Sequence, residues 1–391
     1  MTGPTAFRPL DGIRVLDFTR VLAGPYATMG LAELGADVVK VEMPGAGDET
    51  RAWGPPFVDE SSAYFHAVNR GKRSVVLDLT VEDDRAVVDR LIRTSDVVVE
   101  NFRPGVSDRL GIGPDRVAEL APHVVYASIT GFGSTGPMAS YAGTEVIVEA
   151  ESGLMSITGL PDGEPVRFGV AMIDLATGLS AVNGLLAALL ERTRTGMGRH
   201  VEVSLYGTAV SVLGTVIASE SAGGGVPRAW GSAHPSIVPY RAFPTRDGHI
   251  VMGATNDTMF RRLATALGLE QELSRPEWAG NAGRVEDRTA LEAVIEGALT
   301  RLETADAVER LRAHRVLAAP VRQVGEAARS EQTAALGLVE DEGALFARSP
   351  LSSNGTGRLG RAPGVGEHTE EILAEVSDPP SPSPKDAHVS H

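Results

Sequence analysis

The sequence predicts an α/β protein with a parallel sheet that helices cover on both faces. Its first half alternates short, continuously apolar runs with segments of helical periodicity. The runs are rich in valine and isoleucine, as expected of strands buried on both faces. At 391 residues the chain is also too long for one simple core, which indicates two lobes or one large domain with an insertion.

Six apolar runs are the predicted strands of this sheet. They cover residues 14–19, 36–42, 74–79, 96–102, 124–132 and 200–205. Helix-like segments separate them, the clearest at about residues 81–94. Parallel sheets bind ligands where strands end and loops begin, so we expect the site in the loops after these strands.

The middle of the chain carries the longest helical segment. An Ala/Leu-rich helix is predicted from Asp174 to about Arg194, where a TGMG turn ends it. A second helix is predicted from Tyr206 to about Glu220. The glycine-rich run at residues 221–225 is the clearest break in the chain.

A hairpin and further helices follow this break. Two apolar runs flank an Arg-Asp-Gly turn at residues 246–248, which indicates an antiparallel pair of strands. Helical patterns extend to about Arg315, and residues 316–324 are one more candidate strand. The Pro/Ser-rich residues 377–391 are predicted to be disordered.

The composition argues against several classes of function. The formal net charge of −15 argues against non-specific nucleic-acid binding, yet a few local cations can still hold a phosphorylated ligand. The chain has no cysteine, which excludes disulfides and thiolate chemistry, and we predict no metal site. The N-terminus lacks a long apolar run, and Asn183 and Gly184 interrupt the most apolar internal segment. We therefore expect a cytoplasmic protein without a membrane segment.

Two groups of polar residues border predicted strands. Residues 69–73, NRGKR, place three cations directly before one strand, and Asn101, Arg103 and Arg109 follow another. Both groups suit phosphate binding by charge and backbone amides. Both also suit a solvated loop.

Asp174 stands out chemically. It lies between an apolar run, GVAMI, and the Ala-rich helix, where an Asp often caps the helix by accepting backbone amide hydrogen bonds. Those amides and the helix dipole would lower the pKa of Asp174 and keep it ionised. Asp174 is therefore a helix cap, a nucleophile, or both.

A series of motifs in fixed order resembles the family III coenzyme A (CoA) transferases, the group of formyl-CoA transferase, carnitine CoA-transferase and α-methylacyl-CoA racemase. It begins with PLDGIRVLDFTRVLAGPYATMGLAELGADVVKVE and continues through NRGKRSVVLDL, DVVVENFRPGVSDRLGI and YASITGFGSTGP. GVAMIDLATGL, AHPSIVPYRAFPTRDGHIVMGA and GEHTEEILAE complete it. The resemblance covers about residues 8–375 and indicates the family rather than the substrate.

The resemblance implies a large Rossmann-like domain built from both chain termini, a small inserted α+β domain and an interlinked, ring-shaped homodimer. The predicted boundaries are 1–222 for the first part of the large domain, 223–236 for a glycine-rich linker, 237–315 for the small domain, 316–376 for the return to the large domain and 377–391 for the tail.

The resemblance also implies a mechanism. Asp174 would attack the thioester of an acyl-CoA, form an anhydride and then an aspartyl-CoA thioester, and pass CoA to a free carboxylic acid. The acyl-CoA and the acid are substrates, and no permanently bound cofactor is implied. The implied CoA contacts are Lys72, Arg73, Asn101, Phe102 and Arg109, and the implied substrate or loop residues are Glu145, Gly223, Gly224 and Gly225.

Two alternatives stay open. A racemase of this family abstracts an α-proton with a His and an Asp, but Thr144 and Glu145 stand in those positions here. Asn256 likewise stands where such a racemase has a supporting Glu. A non-catalytic CoA-binding protein could share the fold, although Asp174 is present in its motif.

The substrate is less defined. Succinyl-CoA or another dicarboxyl-CoA is the expected donor, and its free carboxylate needs a cation, for which Arg20, Arg51 and Arg167 are candidates. Leu22 stands where formyl-CoA transferase has a Gln, which argues against a specific match to oxalate or formate chemistry.

Overall fold

The computed structural model describes residues 7–377, which form two compact units. The first unit comprises, of these residues, 7–154, 168–223 and 330–377. The second unit comprises residues 155–167 and 224–329.

The strands are, in chain order, β1 (Arg14–Asp17), β2 (Asp37–Glu42), β3 (Phe57–Val58), β4 (Ser61–Ser62), β5 (Arg73–Val76), β6 (Val97–Glu100), β7 (Val125–Thr130), β8 (His200–Ser204), β9 (Tyr240–Pro244), β10 (His249–Gly253), β11 (Leu317–Pro320), β12 (Val339–Asp341) and β13 (Leu345–Ala347). The α-helices are α1 (Ala23–Glu33), α2 (Ala63–Asn69), α3 (Glu82–Arg93), α4 (Val106–Arg109), α5 (Pro114–Leu120), α6 (Glu145–Glu151), α7 (Leu154–Ile157), α8 (Met172–Thr195), α9 (Leu205–Val212), α10 (Gly214–Ser221), α11 (Asp257–Leu267), α12 (Asn281–Glu286), α13 (Arg288–Leu299), α14 (Thr304–Ala313), α15 (Val324–Ala328), α16 (Glu331–Ala335) and α17 (Thr369–Ser377). Three 3₁₀ turns cover Glu49–Ala52, Pro276–Trp278 and Pro350–Asn354.

The first unit is built on a parallel six-stranded sheet. Its strands lie in the order β5-β2-β1-β6-β7-β8, and every neighbouring pair is parallel. After β1 the chain adds β2 and β5 on one side of that strand, and then β6, β7 and β8 on the other side. The strand order therefore reverses between β1 and β6, as in doubly wound Rossmann-like sheets. The predicted α/β class with a central parallel sheet is confirmed.

Helices cover both faces of this sheet. Alternate strand residues pack on one face against α3, α5 and α17, with Leu16, Leu91 and Ile372 fully buried among them. Helices α1 and α8 pack against each other and against strands β1, β2, β6 and β7. Because the inner strands β1, β2, β6 and β7 are covered on both faces, their apolar residues run nearly continuously, which is why the sequence pattern identified them.

The second unit contains an antiparallel sheet of three strands in the order β11-β10-β9. Strands β9 and β10 form the predicted hairpin, and α11, α13 and α14 enclose a core that includes the fully buried Trp278. Strand β11 pairs with β10, so residues 316–329 belong to this unit and not to the predicted return of the chain to the large domain.

Three other boundaries also differ from the predicted ones. Residues 155–167 belong to the second unit although they fall within the predicted range 1–222. The helix predicted at 206–220 is two helices, α9 and α10, which meet at Leu213. Ser377 ends α17, and the rest of the predicted disordered tail, 378–391, lies outside the described residues.

Helix α8 is long and apolar enough to cross a membrane by length and composition alone, with a mean hydropathy of 1.6. Asn183 and Gly184 lie inside it and do not interrupt it, contrary to expectation. A single helix of this kind is weak support for membrane insertion, because core helices of folded domains meet the same criteria. Only 39% of its most apolar window is buried, which leaves an apolar face exposed.

Candidate active site

The loops after β1 and β6 are joined at the point where the strand order reverses. The Asn101 side chain accepts a hydrogen bond from the backbone amide of Arg20 at 2.9 Å and donates to the Arg20 carbonyl at 2.7 Å. The Arg20 guanidinium lies over the Phe102 ring, 5.2 Å from its centre. Asn101 therefore shapes the loop that follows β1, at the position where doubly wound sheets bind ligands.

A cavity of about 130 Å³ opens beside this loop. Phe18, Met43, Leu79, Phe102 and Leu110 are among the apolar side chains that line it, together with Arg20. An apolar cavity at the carboxyl ends of parallel strands suits a nucleotide base, with cations at its rim for phosphates.

Arg109 is exposed near this cavity. Its guanidinium donates to the Gly105 carbonyl at 3.0 Å, and it forms no ion pair within residues 7–377. Arg20 is likewise exposed and forms no ion pair in the described part of the chain. Both cations are therefore available to an anionic ligand.

The prediction that Lys72 contacts CoA is wrong, because the Lys72 ammonium group is fully buried. It contacts Asp17 at 3.0 Å and donates to Asn69 at 2.8 Å and to the Pro25 carbonyl at 3.0 Å. Burial lowers the pKa of Lys72 to about 8, against the opposing charge of Asp17. All three donor directions are used inside the protein, so Lys72 holds the loop after β1 from within.

Arg73 is also committed to protein partners. Its guanidinium pairs with Asp37 at 2.6 Å, Glu371 at 2.8 Å and Glu375 at 2.6 Å. Burial opposes its charge, but the hydrogen bonds and charges of Asp37 and Glu375 raise the pKa of Arg73 above its usual range. The predicted phosphate contact is therefore wrong, and Arg73 instead ties helix α17 to the edge of the sheet.

Asp174 lies in the first turn of α8, at its third residue. The helix is capped at Ala171, so Asp174 is not the predicted capping residue. The Asp174 amide donates to one oxygen of Glu145 at 2.7 Å, and the Ile173 amide donates to the other at 3.0 Å. Glu145, which is buried, thus takes the free amides at the start of the helix.

The pKa of Asp174 is raised, not lowered as predicted. Burial and the negative charge of Glu145 raise it to about 7. The predicted lowering assumed that the helix amides serve Asp174, whereas they serve Glu145. The half-buried Asp174 carboxyl accepts no hydrogen bond from the described residues, so it is free to face a ligand.

Tyr64 is a candidate that the sequence pattern did not single out. Burial and the charges of Asp174, Asp48 and Glu145 raise its pKa to about 12, so its hydroxyl stays a neutral donor. Its ring packs on Trp53, with centres 5.4 Å apart. Nothing in the sequence around Tyr64 indicates this electrostatic link to Asp174, which lies 110 residues later.

Gly178 brings α8 close to the start of α1. A Cβ atom at Gly178 would lie 2.8 Å from the Ala23 carbonyl oxygen and 3.0 Å from the Tyr26 ring. Gly178 follows Asp174 by one helical turn, on the same side of α8. The glycine therefore lets the helix that carries Asp174 pack against the helix that follows β1.

The glycine run marks the boundary of the two units. Gly223 ends a segment of the first unit and Gly224 begins a segment of the second. Gly223 and Gly225 have positive φ angles, 91° and 79°, which few other residues adopt. The shielding role implied for these glycines stays a prediction, since a plain linker needs the same conformations.

Residues of other types occupy the two positions at which a racemase of this family needs a His and a supporting Glu. Thr144 precedes α6, is exposed and carries no group that titrates near neutral pH. The Asn256 side chain accepts the Met259 amide at 2.9 Å and caps α11. The structure therefore offers no base at either position for removal of an α-proton.

One of the three arginines considered for a substrate carboxylate is unavailable. Arg51 is buried, contacts Glu42 at 2.6 Å and donates to Ser61 and to the Pro363 carbonyl. Arg167, like Arg20, is exposed and has no ion-pair partner within residues 7–377.

Comparisons with known proteins agree with these features. A sequence profile of CoA-transferase family III matches residues 10–369. Succinyl-CoA:glutarate CoA-transferase of Mus musculus is 41% identical over an alignment of 379 residues, and the alignment covers 95% of this chain and 87% of the mouse protein. Succinate–glutarate CoA-transferase of Agrobacterium fabrum is 40% identical over an alignment of 387 residues, and the alignment covers 95% of this chain and 97% of that protein. A CAIB/BAIF family protein from Brucella suis has a similar crystal structure, with a TM-score of 0.87, 39% identity and coverage of 94% of this chain and 99% of that one.

Proposed function

The chain belongs to CoA-transferase family III and is a CoA-transferase, and we propose that Asp174 is its nucleophile and succinyl-CoA its donor. The observation that carries the proposal is the Asp174 carboxyl, which is half-buried, unpaired and has a pKa of about 7. A carboxylate that is poorly hydrated and has no hydrogen-bonded partner is a better nucleophile than one in water.

The proposed reaction has four displacements that conserve the thioester energy. The Asp174 carboxylate attacks the thioester carbonyl and expels CoA thiolate, which leaves an aspartyl–acyl anhydride. The thiolate then attacks the Asp174 carbonyl, which gives an aspartyl-CoA thioester and the free donor acid. The acceptor carboxylate attacks this thioester and expels the thiolate, and the thiolate finally attacks the acceptor carbonyl of the new anhydride. Product acyl-CoA leaves and the Asp174 carboxylate is restored.

For CoA we propose the cavity beside the loop after β1, with the base against Phe102 and the phosphates at Arg20 and Arg109. The support is the apolar lining of the cavity and the two exposed, unpaired guanidinium groups. Asn101 holds the Arg20 backbone and so contributes through the shape of the loop.

Arg109→Ala is expected to raise KM for CoA esters by about 5- to 20-fold with little change in kcat. A phosphate contact far from the reacting carbonyl stabilises ground and transition states alike, so its loss appears in KM. Arg90→Ala is the control, because Arg90 is an exposed arginine in the last turn of α3. Steady-state kinetics at several succinyl-CoA concentrations measure both constants, and an unchanged KM in Arg109→Ala would place the phosphates elsewhere.

The names of the two relatives support a dicarboxylic substrate pair. Of the arginines considered for its distal carboxylate, Arg51 is committed to Glu42, and Arg20 lines the cavity proposed for CoA.

Succinyl-CoA is expected to exceed butyryl-CoA in kcat/KM by roughly 10- to 100-fold, since a charge-assisted hydrogen bond contributes about 1.5–3 kcal/mol. The assay pairs acyl-CoA donors with free acids of two to six carbons and identifies the product esters by mass. Equal use of succinyl-CoA and butyryl-CoA by the unaltered enzyme would contradict a dicarboxylic donor.

We also propose the homodimer that the resemblance implies. Apolar side chains are exposed on four helices of the first unit, among them Ile147, Leu179, Leu190, Val212 and Ile217, each 46% to 65% exposed. So much apolar surface on the helix that carries Asp174 and on its neighbours suits burial against a second copy. The interlinked arrangement rests on the resemblance.

Subunits of an interlinked dimer are expected to stay together on dilution, because one ring must open before they part. Tagged and untagged dimers, mixed at micromolar concentration, should not exchange subunits over hours. Unfolding and refolding the same mixture is the control and should give mixed dimers. Rapid exchange in native buffer would rule out interlinking, and an active monomer in light scattering would rule out the dimer.

The composition bears on the setting in which the enzyme works. The absence of cysteine supports a cytoplasmic enzyme, and the net charge of −15 supports one that does not bind nucleic acid. The exposed face of α8 is assigned to the dimer, so the proposal involves no membrane.

A further inference from the structure

Helix α6 carries two buried glutamates one helical turn apart. Glu145 is 7% exposed and Glu149 is 1% exposed. Residues four positions apart lie on the same side of a helix, so both carboxyls project in one direction.

Both glutamates bind the segment that leads to Asp174. The two oxygens of Glu145 accept the amides of Ile173 and Asp174. One oxygen of Glu149 accepts the Phe168 amide at 3.1 Å. A single helix therefore holds this segment at both of its ends.

Between the two anchors the chain makes an exposed turn at residues 169–172. Within it the Met172 amide donates to the Val170 carbonyl at 2.8 Å, and both of these side chains are about half exposed. Such a turn has little packing of its own to fix it, so its two ends determine where α8 begins and where Asp174 lies.

The Glu149 carboxyl is used asymmetrically. One of its oxygens accepts the Phe168 amide, while the other is buried and has no hydrogen-bond partner among the described residues. The contact with the Phe168 amide is therefore the one that this side chain makes to the segment leading to Asp174.

We propose that Glu149 is a positioning residue that anchors the Phe168 amide and so places Asp174 for attack on the thioester. This inference rests on the proposed role of Asp174 and adds a residue that neither the motifs nor the comparisons single out. Glu149 does not contact substrate in this scheme, and its effect reaches the reaction through the turn at residues 169–172.

Glu149→Ala removes the acceptor and leaves the partly buried Phe168 amide unpaired. The start of α8 should then shift, and a displacement of about 1 Å at a nucleophile can cost about 100-fold in rate. We expect kcat to fall about 30- to 100-fold, while KM for succinyl-CoA stays within about twofold because the proposed CoA cavity is untouched.

Glu149→Gln tests whether an acceptor oxygen is what position 149 must supply. Its amide oxygen can accept the Phe168 amide and its size matches glutamate, so kcat should stay within about threefold of the unaltered enzyme. Glu151→Ala, at the exposed last residue of α6, is the matched control and should leave kcat unchanged.

The three variants and the unaltered enzyme are compared in steady-state transfer and in trapping of the acyl-enzyme by hydroxylamine, with circular dichroism to check folding. Unaltered kcat in Glu149→Ala overturns the inference, and so does a loss above tenfold in a folded Glu149→Gln. If Glu149→Ala does not fold, Glu149→Gln alone decides. Failure of the proposed function is distinct, because the unaltered enzyme would then yield no hydroxamate at Asp174.

Discussion

Replacing Asp174 with asparagine is expected to reduce CoA transfer by roughly three to five orders of magnitude, the range seen when a covalent catalytic group is lost. Asparagine is nearly isosteric and keeps the backbone amide that Glu145 accepts, so the start of α8 should be preserved. What it removes is the oxygen nucleophile, without which neither the anhydride nor the aspartyl-CoA thioester can form. Asp174→Ala should give the same loss.

The variants should still bind CoA esters, because the proposed cavity for CoA lies at the loop after β1. Calorimetric titration with succinyl-CoA measures this binding, and Asp83→Asn is a control at an exposed Asp in the first turn of another helix. With hydroxylamine present, mass spectrometry should find a hydroxamate at Asp174 in the unaltered enzyme and none in either variant. Transfer above about one hundredth of normal by purified Asp174→Asn would reject the assignment.

The sheet could be predicted from the sequence because its inner strands are buried on both faces. The valine-rich runs that become β1, β2, β6 and β7 have no polar alternation, and only a covered parallel sheet accommodates that pattern. Residues 316–324 were harder to place, since a short apolar run does not reveal which sheet it joins. Its partner is β10, which lies more than 60 residues earlier in the chain.

The charged residues show the limit of sequence reasoning at the site. Lys72 and Arg73 stand in one basic motif, but their partners, Asp17 and Glu375, lie 55 residues before and 302 residues after them. A cation in a loop and a cation in a buried ion pair look alike in a sequence. The structure leaves Arg20 and Arg109 available instead, and only the second was predicted as a CoA contact.

The same limit explains why the predicted pKa of Asp174 was wrong. A carboxylate at a helix start usually gains amide hydrogen bonds, and the local sequence contains nothing to suggest otherwise. Glu145, 29 residues earlier, takes those amides and adds a negative charge beside Asp174. Local sequence therefore identified the residue and its helix, while its ionisation depends on a distant segment.

The raised pKa of Asp174 predicts a strong pH dependence of the first chemical step. Only the ionised carboxyl attacks the thioester, and its fraction grows as pH rises through about 7. Below about pH 6, kcat/KM for succinyl-CoA should therefore fall about tenfold for each unit of pH, with a plateau near pH 8. The carboxyl of succinyl-CoA has an ordinary pKa near 4 and stays ionised in this range. Initial rates at subsaturating succinyl-CoA between about pH 5.5 and 8, a range in which folded proteins are usually stable, measure the dependence.

A second variant can show that the fall of kcat/KM at low pH is due to Asp174. The charge of Glu145 is one cause of the raised pKa of Asp174. Glu145→Gln should move the midpoint of kcat/KM to lower pH because it removes that charge. It should also lower kcat at every pH, since its NH₂ group cannot accept one of the two amides that Glu145 now binds. Three other groups need consideration. Burial lowers the pKa of Lys72 to about 8, which is above this midpoint, and burial lowers the pKa of His66 and of His200 below the usual value, away from a midpoint near 7. A kcat/KM that does not change between about pH 5.5 and 8 would show that Asp174 does not control the pH dependence of kcat/KM. A midpoint that is the same in Glu145→Gln as in the unaltered enzyme would show this too.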